Sequence, residues 1–197
     1  LPGKRTLGLR RPDLLAIASF YKEWASIGGG VRNYLAVGEF PDGDVRETER
    51  LYLPRGIILD RDLTRVWPYD QQQIKEYITS SWYEYAAGDA AGLHPWEGET
   101  KPKYAGPPTP WEYLQDSAKY SWMKSPRYDG KPMEVGPLAR MLVGFAAGHE
   151  DIHAMVKEVL DRLEVGPAAL FSTLGRTAAR GIETGLLARR MDVWYDR

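Results

Sequence analysis

The sequence predicts a mainly α-helical chain with a small antiparallel β-sheet, an α+β fold, and two observations support this prediction. Apolar residues recur at three- and four-residue spacing near the start of the chain and again over its last third, which is typical of helices with one buried face. Short apolar runs separated by turn residues follow the first helical pattern, which is typical of antiparallel strands. A length of 197 residues with 43% hydrophobic content is enough for one domain with a core.

The first helix is predicted over residues 12–27. Pro12 suits the first turn of a helix, where its missing N–H is not needed, and the triplet Gly28, Gly29 and Gly30 ends the pattern. A glycine triplet can also bind phosphate, but that motif follows a strand and precedes a helix. Because a helix comes first here, we interpret the triplet as a chain reversal.

A small sheet and a second helix are predicted next. Short apolar runs over residues 33–67 are typical of strands, and the turn residues at 41–44 separate two of them. The second helix is predicted over residues 70–85, because Asp70 suits an N-cap and Gln73 stands three residues later, as in a capping box.

The second half of the chain is predicted to contain a long loop and then a helical bundle. Residues 88–120 carry several prolines and many aromatic residues, which is typical of a functional loop or of one covered by a partner. The bundle is predicted over residues 137–190, where Pro137 suits a helix start and residues 150–163 form the clearest amphipathic pattern.

The composition excludes several classes of protein. With 26 basic and 27 acidic residues, the net charge of −1 argues against nucleic acid as a partner. No apolar run has the roughly 18 residues of a membrane span, and no secretory signal stands at the start. The absence of cysteine excludes disulfides, thiolate catalysis and any thiolate metal site built within these residues.

One local motif predicts a metal site. The sequence from His149 to His153 matches H-E-x-x-H, in which two histidines one helical turn apart bind zinc and Glu150 is a general base. A third ligand is not marked, although Glu164 and Glu183 are available. A zinc-dependent hydrolase is therefore one possible function, and two surface histidines beside an apolar stripe are the simpler interpretation.

A longer string carries a more specific signal. Residues 120–140, YSWMKSPRYDGKPMEVGPLAR, closely resemble the interior of the large subunit of nickel–iron hydrogenases. Segments similar to the same family follow the same order at residues 18–32 (ASFYKEWASIGGGVR), 53–62 (LPRGIILDRD), 80–83 (SSWY) and 172–184 (STLGRTAARGIET). The resemblance covers essentially the whole chain and is strongest to the membrane-bound uptake type.

The resemblance implies a function that this chain does not perform alone. The family oxidises dihydrogen to protons and electrons at a nickel–iron centre, which two pairs of cysteines hold near the two ends of the subunit. Because this chain has no cysteine and both its ends look cut, we expect residues 1–197 to be an internal part of a single large-subunit domain, inactive in isolation. The implied partners are an iron–sulfur small subunit, the remaining parts of the large subunit and dihydrogen, and the implied location is the periplasmic face of the membrane.

The resemblance also singles out two residues outside the metal ligands. Glu76 in QQIKEY and Lys124 in YSWMKSPRY match places near the water network around a magnesium site in the complete subunit. In the alternative interpretation, Lys124 simply pairs with a carboxylate and Glu76 lies exposed on its helix. A further possibility for the whole chain is a non-catalytic scaffold related to the quinone-site subunit of respiratory complexes, which lacks nickel.

Overall fold

The computed structural model describes residues 11–43, 50–106 and 118–196. The chain divides into two compact units. The first unit comprises residues 1–69 and 134–197, and the second comprises residues 70–133.

The first unit begins with two helical pieces in place of the single helix predicted over residues 12–27. Helix α1 spans Arg11–Ser19, and a 3₁₀ helix follows at Lys22–Ser26. The helix ends early because Ser19 Oγ donates a hydrogen bond to a main-chain carbonyl in the preceding turn, which competes with the helical pattern. Tyr21 then leaves the helical conformation, with φ −119° and ψ 30°.

Four short strands form two separate antiparallel pairs where one small sheet was predicted. Strands β1 (Tyr34–Ala36) and β4 (Gly56–Ile58) pair with each other, as do β2 (Glu39–Pro41) and β3 (Leu51–Leu53). Pro54 lies between β3 and β4 and has no N–H to continue a ladder, so the two pairs stay distinct.

The predicted helical bundle forms the core of the first unit. It consists of α2 (Pro137–Ala146), α3 (Glu150–Leu163), a 3₁₀ helix (Pro167–Phe171) and α4 (Thr173–Tyr195). The apolar faces of these helices pack against one another and against β1 and β4. The largest fully buried side chains of the bundle are Met141, Leu142, Val143, Ile152, Val156 and Leu186.

Helix α4 is the longest described helix, with 23 residues. Its length would reach across a bilayer, but charged residues recur along it, among them Arg176, Arg180, Glu183 and Arg190. Within the described ranges, no helix combines the length and the apolar character that a membrane span requires.

In the second unit the helix predicted over residues 70–85 is wrong. Asp70 does cap a turn, since its carboxylate accepts a hydrogen bond from the Gln72 N–H, but the helix that follows is a 3₁₀ turn of three residues. Ile74 is already extended, with φ −81° and ψ 125°. Strand pairing takes over at this point because a strand distant in sequence satisfies the main-chain N–H and C=O groups.

The described part of the second unit contains four strands besides this 3₁₀ turn. Strand β5 (Ile74–Tyr77) pairs antiparallel with β8 (Ser125–Tyr128), and β6 (Tyr83–Glu84) pairs antiparallel with β7 (Lys101–Pro102). The β5–β8 ladder is the longer of the two, with four residue pairs in register.

The described parts of the long loop predicted over residues 88–120, namely residues 88–106 and 118–120, are irregular apart from β7, and residues 107–117 lie outside the described residues. His94 anchors its first part and is only 6% exposed. Its Nε2 lies 3.2 Å from the Gln71 carbonyl oxygen, and its Nδ1 lies 3.2 Å from the Trp96 main-chain nitrogen.

Candidate functional site

The structure brings the two candidate residues Glu76 and Lys124 together in the second unit. Glu76 lies in β5 opposite Pro126 of β8, and Lys124 directly precedes β8. Lys124 Nζ donates a hydrogen bond to Glu76 Oε2 at 2.9 Å, and the two side chains are 28% and 22% exposed respectively. The placement of Glu76 on a helix is therefore wrong, and the carboxylate that pairs with Lys124 is Glu76 itself.

Aromatic residues and main-chain hydrogen bonds hold this pair in place. The Tyr85 hydroxyl donates to the Glu76 carbonyl at 2.9 Å, and the Glu76 N–H donates to the Leu93 carbonyl at 2.8 Å. Burial raises the pKa of Tyr85, and the nearby Glu76 charge raises it further. The Lys124 ammonium lies 5.5 Å from the centroid of the Tyr83 ring, a distance at which the ring attracts a cation.

Sequence reasoning missed a second lysine that organises the same region. Lys119 Nζ donates to the carbonyl oxygens of Ile78, Ser81 and Tyr83 at 3.0, 2.8 and 2.6 Å. It also forms an ion pair with Asp89 at 2.7 Å, and its side chain is only 17% exposed. The hydrogen bond from Lys119 holds the pKa of Asp89 below its usual value. Main-chain acceptors leave no trace in a sequence, so no pattern could have revealed this cluster.

The SSWY segment is bound to the stretch that leads into β8. The Trp82 indole N–H donates to the Lys119 carbonyl at 3.0 Å, and the Trp82 N–H donates to the Ser121 carbonyl at 2.9 Å. The buried Ser81 hydroxyl donates to the Met123 carbonyl. Two of the segments that resemble the hydrogenase family are thus in direct contact within the second unit.

The first unit contains a second cluster, to which family-like segments at residues 18–32, 53–62, 120–140 and 172–184 contribute. Arg176 binds the Glu134 carboxylate through two hydrogen bonds, of 2.7 Å from Nε and 2.5 Å from Nη2, and also donates to the Gly28 carbonyl. Arg61 donates to the Gly29 carbonyl at 2.6 Å. A side chain on Gly30 would place its Cβ 2.6 Å from Arg176 Nη2, so the close approach of the arginine requires glycine there.

The two histidines of the H-E-x-x-H motif do not form a zinc pair. His149 precedes α3 as its N-cap, with its Nδ1 3.5 Å from the Ile152 nitrogen, and its ring lies edge-on to Tyr52. The His153 ring stacks on Phe145 with centroids 4.7 Å apart. In the part of the chain that the structure describes, no three His, Cys, Asp or Glu side chains gather as a metal ion requires.

The two carboxylates considered as third zinc ligands are engaged elsewhere. Glu164 pairs with Lys22 at 3.1 Å, and Glu183 binds Arg140 through hydrogen bonds of 3.0 and 2.7 Å. Glu150 begins α3, where a negative charge favours the helix N-terminus. The motif is therefore explained by helix capping and packing, and the described geometry does not support the predicted zinc site.

Comparison with known proteins points to one family. The model of the nickel-dependent hydrogenase family matches residues 8–197. The uptake hydrogenase large subunit of Rhizobium leguminosarum bv. viciae is 46% identical over 186 residues, which cover 88% of this chain and 31% of that protein. The corresponding subunit of Bradyrhizobium diazoefficiens is 42% identical over 198 residues, which cover 94% of this chain and 33% of that protein. The chain thus spans about a third of the length of these relatives.

Solved structures agree with the sequence relatives. The Ni-Fe-Se hydrogenase from Desulfomicrobium baculatum in a reduced, active form matches with a TM-score of 0.70 and 30% identity, over 93% of this chain and 35% of that one. The Ni-Fe-Se hydrogenase from Desulfovibrio vulgaris Hildenborough, in its as-isolated oxidised state, matches with a TM-score of 0.69, also at 30% identity, with the same coverage.

Proposed function

Because the chain belongs to the nickel-dependent hydrogenase family, we propose that it forms part of the large subunit of an uptake nickel–iron hydrogenase. The complete protein would be an oxidoreductase that oxidises dihydrogen to protons and electrons. The match of the family model over residues 8–197 is the observation that carries this proposal. The relatives named uptake hydrogenase large subunit favour it over a zinc hydrolase and over a nickel-free scaffold related to the quinone-site subunit.

The residues present do not fit the nickel–iron centre itself. Metals of this kind are held by soft thiolate ligands, and the 197 residues contain no cysteine. The described residues also lack any cluster of three other side chains suited to a metal ion. The metal ligands therefore belong to parts of the protein outside this sequence, and the chain's own contribution is to pack around the centre and to handle protons.

The proton-handling role falls to the Glu76–Lys124 pair, in the water network around a magnesium ion of the complete subunit. Glu76 is the member that can take up and release a proton, and Lys124 orients its carboxylate by donating to Oε2. Among the described residues no hydrogen-bond partner approaches Oε1, so that oxygen is left for water. The partial exposure of both side chains, 28% and 22%, is consistent with contact to a water chain.

The partners and location of the complete protein follow from the same family. The term large subunit in the names of the relatives implies a small subunit, which we propose carries iron–sulfur clusters and accepts the electrons. We further propose that the assembled enzyme is associated with the membrane at its periplasmic face, as in the uptake type that the sequence resembles.

Purification of the complete protein tests this function directly. We expect nickel in equimolar amount and reduction of an artificial electron acceptor that depends on dihydrogen. A protein without nickel and without dihydrogen-dependent reduction would refute the proposal. Stoichiometric zinc that is lost in the His149→Ala variant would instead favour the zinc-dependent hydrolase.

A further inference from the structure

The second unit contains a polar cleft that the proposed hydrogenase function does not use, and we propose that it binds a small oxyanion, either a phosphate or a carboxylate group. The cleft has a volume of about 370 Å³. Its lining residues are Tyr77, Thr79, Ser80, Ser125, Arg127 and Gly130.

Strand register separates this cleft from the Glu76–Lys124 pair. Tyr77 pairs with Ser125 in the β5–β8 ladder, and these two residues alternate along their strands with Glu76 and Pro126. Because successive side chains of a strand point to opposite faces, the cleft and Glu76 lie on opposite faces of the ladder. The cleft is thus a separate site, and its occupancy does not depend on the proton-handling role of Glu76.

The charge on the cleft face of the ladder is positive. Arg127 lines the cleft, and Lys75, its partner in the register, lies on the same face. The described lining residues include no carboxylate. Asp129, the acidic residue next to Gly130 in the chain, is neutralised by Lys131 at 2.6 Å. An anion entering the cleft therefore meets uncompensated positive charge.

The donor groups also suit an oxyanion. Arg127 Nη1 donates to the Pro126 carbonyl at 2.9 Å, which fixes the guanidinium. Within the described residues Nε and Nη2 of this side chain have no partner, and a guanidinium edge matches two oxygens of a phosphate or carboxylate. Hydroxyl groups supply additional donors at Tyr77, Ser80 and Ser125. No side chain projects from Gly130, where an added Cβ would meet nothing within 4 Å, so this end of the cleft stays open.

Arginine-specific labelling of the complete protein with phenylglyoxal tests the site. Labelling of Arg127 is followed by peptide mass spectrometry in sodium phosphate, sodium acetate and sodium chloride at equal ionic strength. Arg180 is the internal control, since it is exposed and likewise donates through Nη1 to a main-chain carbonyl. We expect phosphate, acetate or both to slow labelling of Arg127 about threefold or more and to leave Arg180 unchanged. Protection by phosphate alone identifies a phosphate site, protection by acetate alone identifies a carboxylate site, and protection by both identifies a general oxyanion site.

Substitution of one hydroxyl donor provides a second readout. Ser125→Ala is expected to weaken the protection of Arg127, whereas Ser26→Ala, at an exposed hydroxyl of the first unit that does not line the cleft, is expected to leave it unchanged. Equal labelling rates of Arg127 in all three salts would overturn the proposal. A complete absence of Arg127 labelling in chloride would also overturn it, because the cleft would then be closed to solutes.

Discussion

Lys124 Nζ lies 2.9 Å from Glu76 Oε2, which joins two residues 48 positions apart in the sequence at the β5–β8 ladder. Each residue belongs to a segment that resembles the hydrogenase family, and the ladder is the element that brings the segments together. The pair is less exposed than a second Lys–Glu pair in the described part of the same unit, Lys103 with Glu84, whose side chains are 58% and 41% exposed. The exposed Lys103–Glu84 pair therefore serves as a matched control for substitutions at the less exposed Glu76–Lys124 pair.

Loss of the Lys124 ammonium should loosen the β5–β8 ladder. We expect Lys124→Met to destabilise it by about 1 kcal/mol, because the Glu76 carboxylate keeps its burial and loses its counterion. Lys103→Met should cost less, since water screens that exposed pair. Amide hydrogen exchange of the complete protein measures the first effect in peptides covering residues 74–77 and 125–128, and the second effect in peptides covering residues 83–84 and 101–102. An equal increase in exchange rate at the two strand pairings would contradict the expected difference in destabilisation.

Lys119 should matter more for stability than any exposed lysine of the second unit. Lys119→Met leaves three main-chain carbonyls and Asp89 without their common donor, and we expect a local cost of about 3 kcal/mol. We expect amide hydrogens of residues 78–83 to exchange faster in Lys119→Met than in the wild type, and those of the helical bundle to exchange at the wild-type rate. Unchanged exchange over residues 78–83 would show that water replaces the ammonium without cost.

Acid should weaken the Lys119 cluster through Asp89. The pKa of Asp89 is lowered below 3.8, mainly by the hydrogen bond from Lys119 and then by the one from the Tyr85 N–H. A carboxylate whose pKa is lowered on folding stabilises the fold at every pH above its pKa in the unfolded state. It loses that contribution as the pH falls through its pKa in the folded state. In Asp89→Asn, stability should therefore depend less on pH below about 4 than in the wild type. Acid unfolding curves of the wild type and of Asp89→Asn that run parallel would contradict the role of Asp89 in acid stability.

Alkali should act on the first unit through Tyr52. Burial raises the pKa of Tyr52 to about 12, and Asp151, which accepts a hydrogen bond from its hydroxyl at 3.2 Å, adds to the shift. A tyrosine whose pKa is raised on folding contributes its full stability below its pKa in the unfolded state, 10.0. That contribution is lost as the pH rises toward 12. Melting temperatures of the complete protein between pH 8 and 11.5 should fall more steeply for the wild type than for Tyr52→Phe. If the melting temperature falls equally steeply with pH in both proteins, Tyr52 is not the cause of the loss of stability in alkali.

The helical part of the fold could be predicted because its signals are local. The amphipathic pattern over residues 150–163 and Pro137 at a helix start can be read from neighbouring residues of the sequence, and both helices appear where predicted. The capping signal of Asp70 and Gln73 is local as well, but it serves a 3₁₀ turn as well as it serves a helix. Nothing near residue 74 in the sequence reveals that a strand some 50 residues later will pair there.

The candidate site was also predictable only in part. Glu76 and Lys124 could be identified because they stand in segments that resemble a known family, although their mutual contact required the structure. Lys119 could not be identified, since three of its partners are carbonyl groups that every residue carries. The two histidines at 149 and 153 show the opposite error, because a motif of correct spacing meets a helix that starts one residue too late.

Isotope exchange between deuterium gas and solvent water, catalysed by the complete protein, tests the central claim most directly. We expect Glu76→Gln to slow this exchange about tenfold or more, because the amide cannot take up a proton, while nickel content stays at the wild-type level. Glu84→Gln, at the exposed pair of the same unit, should exchange at the wild-type rate. Exchange in Glu76→Gln at the wild-type rate, with unchanged magnesium content, would contradict the assigned role of the Glu76–Lys124 pair.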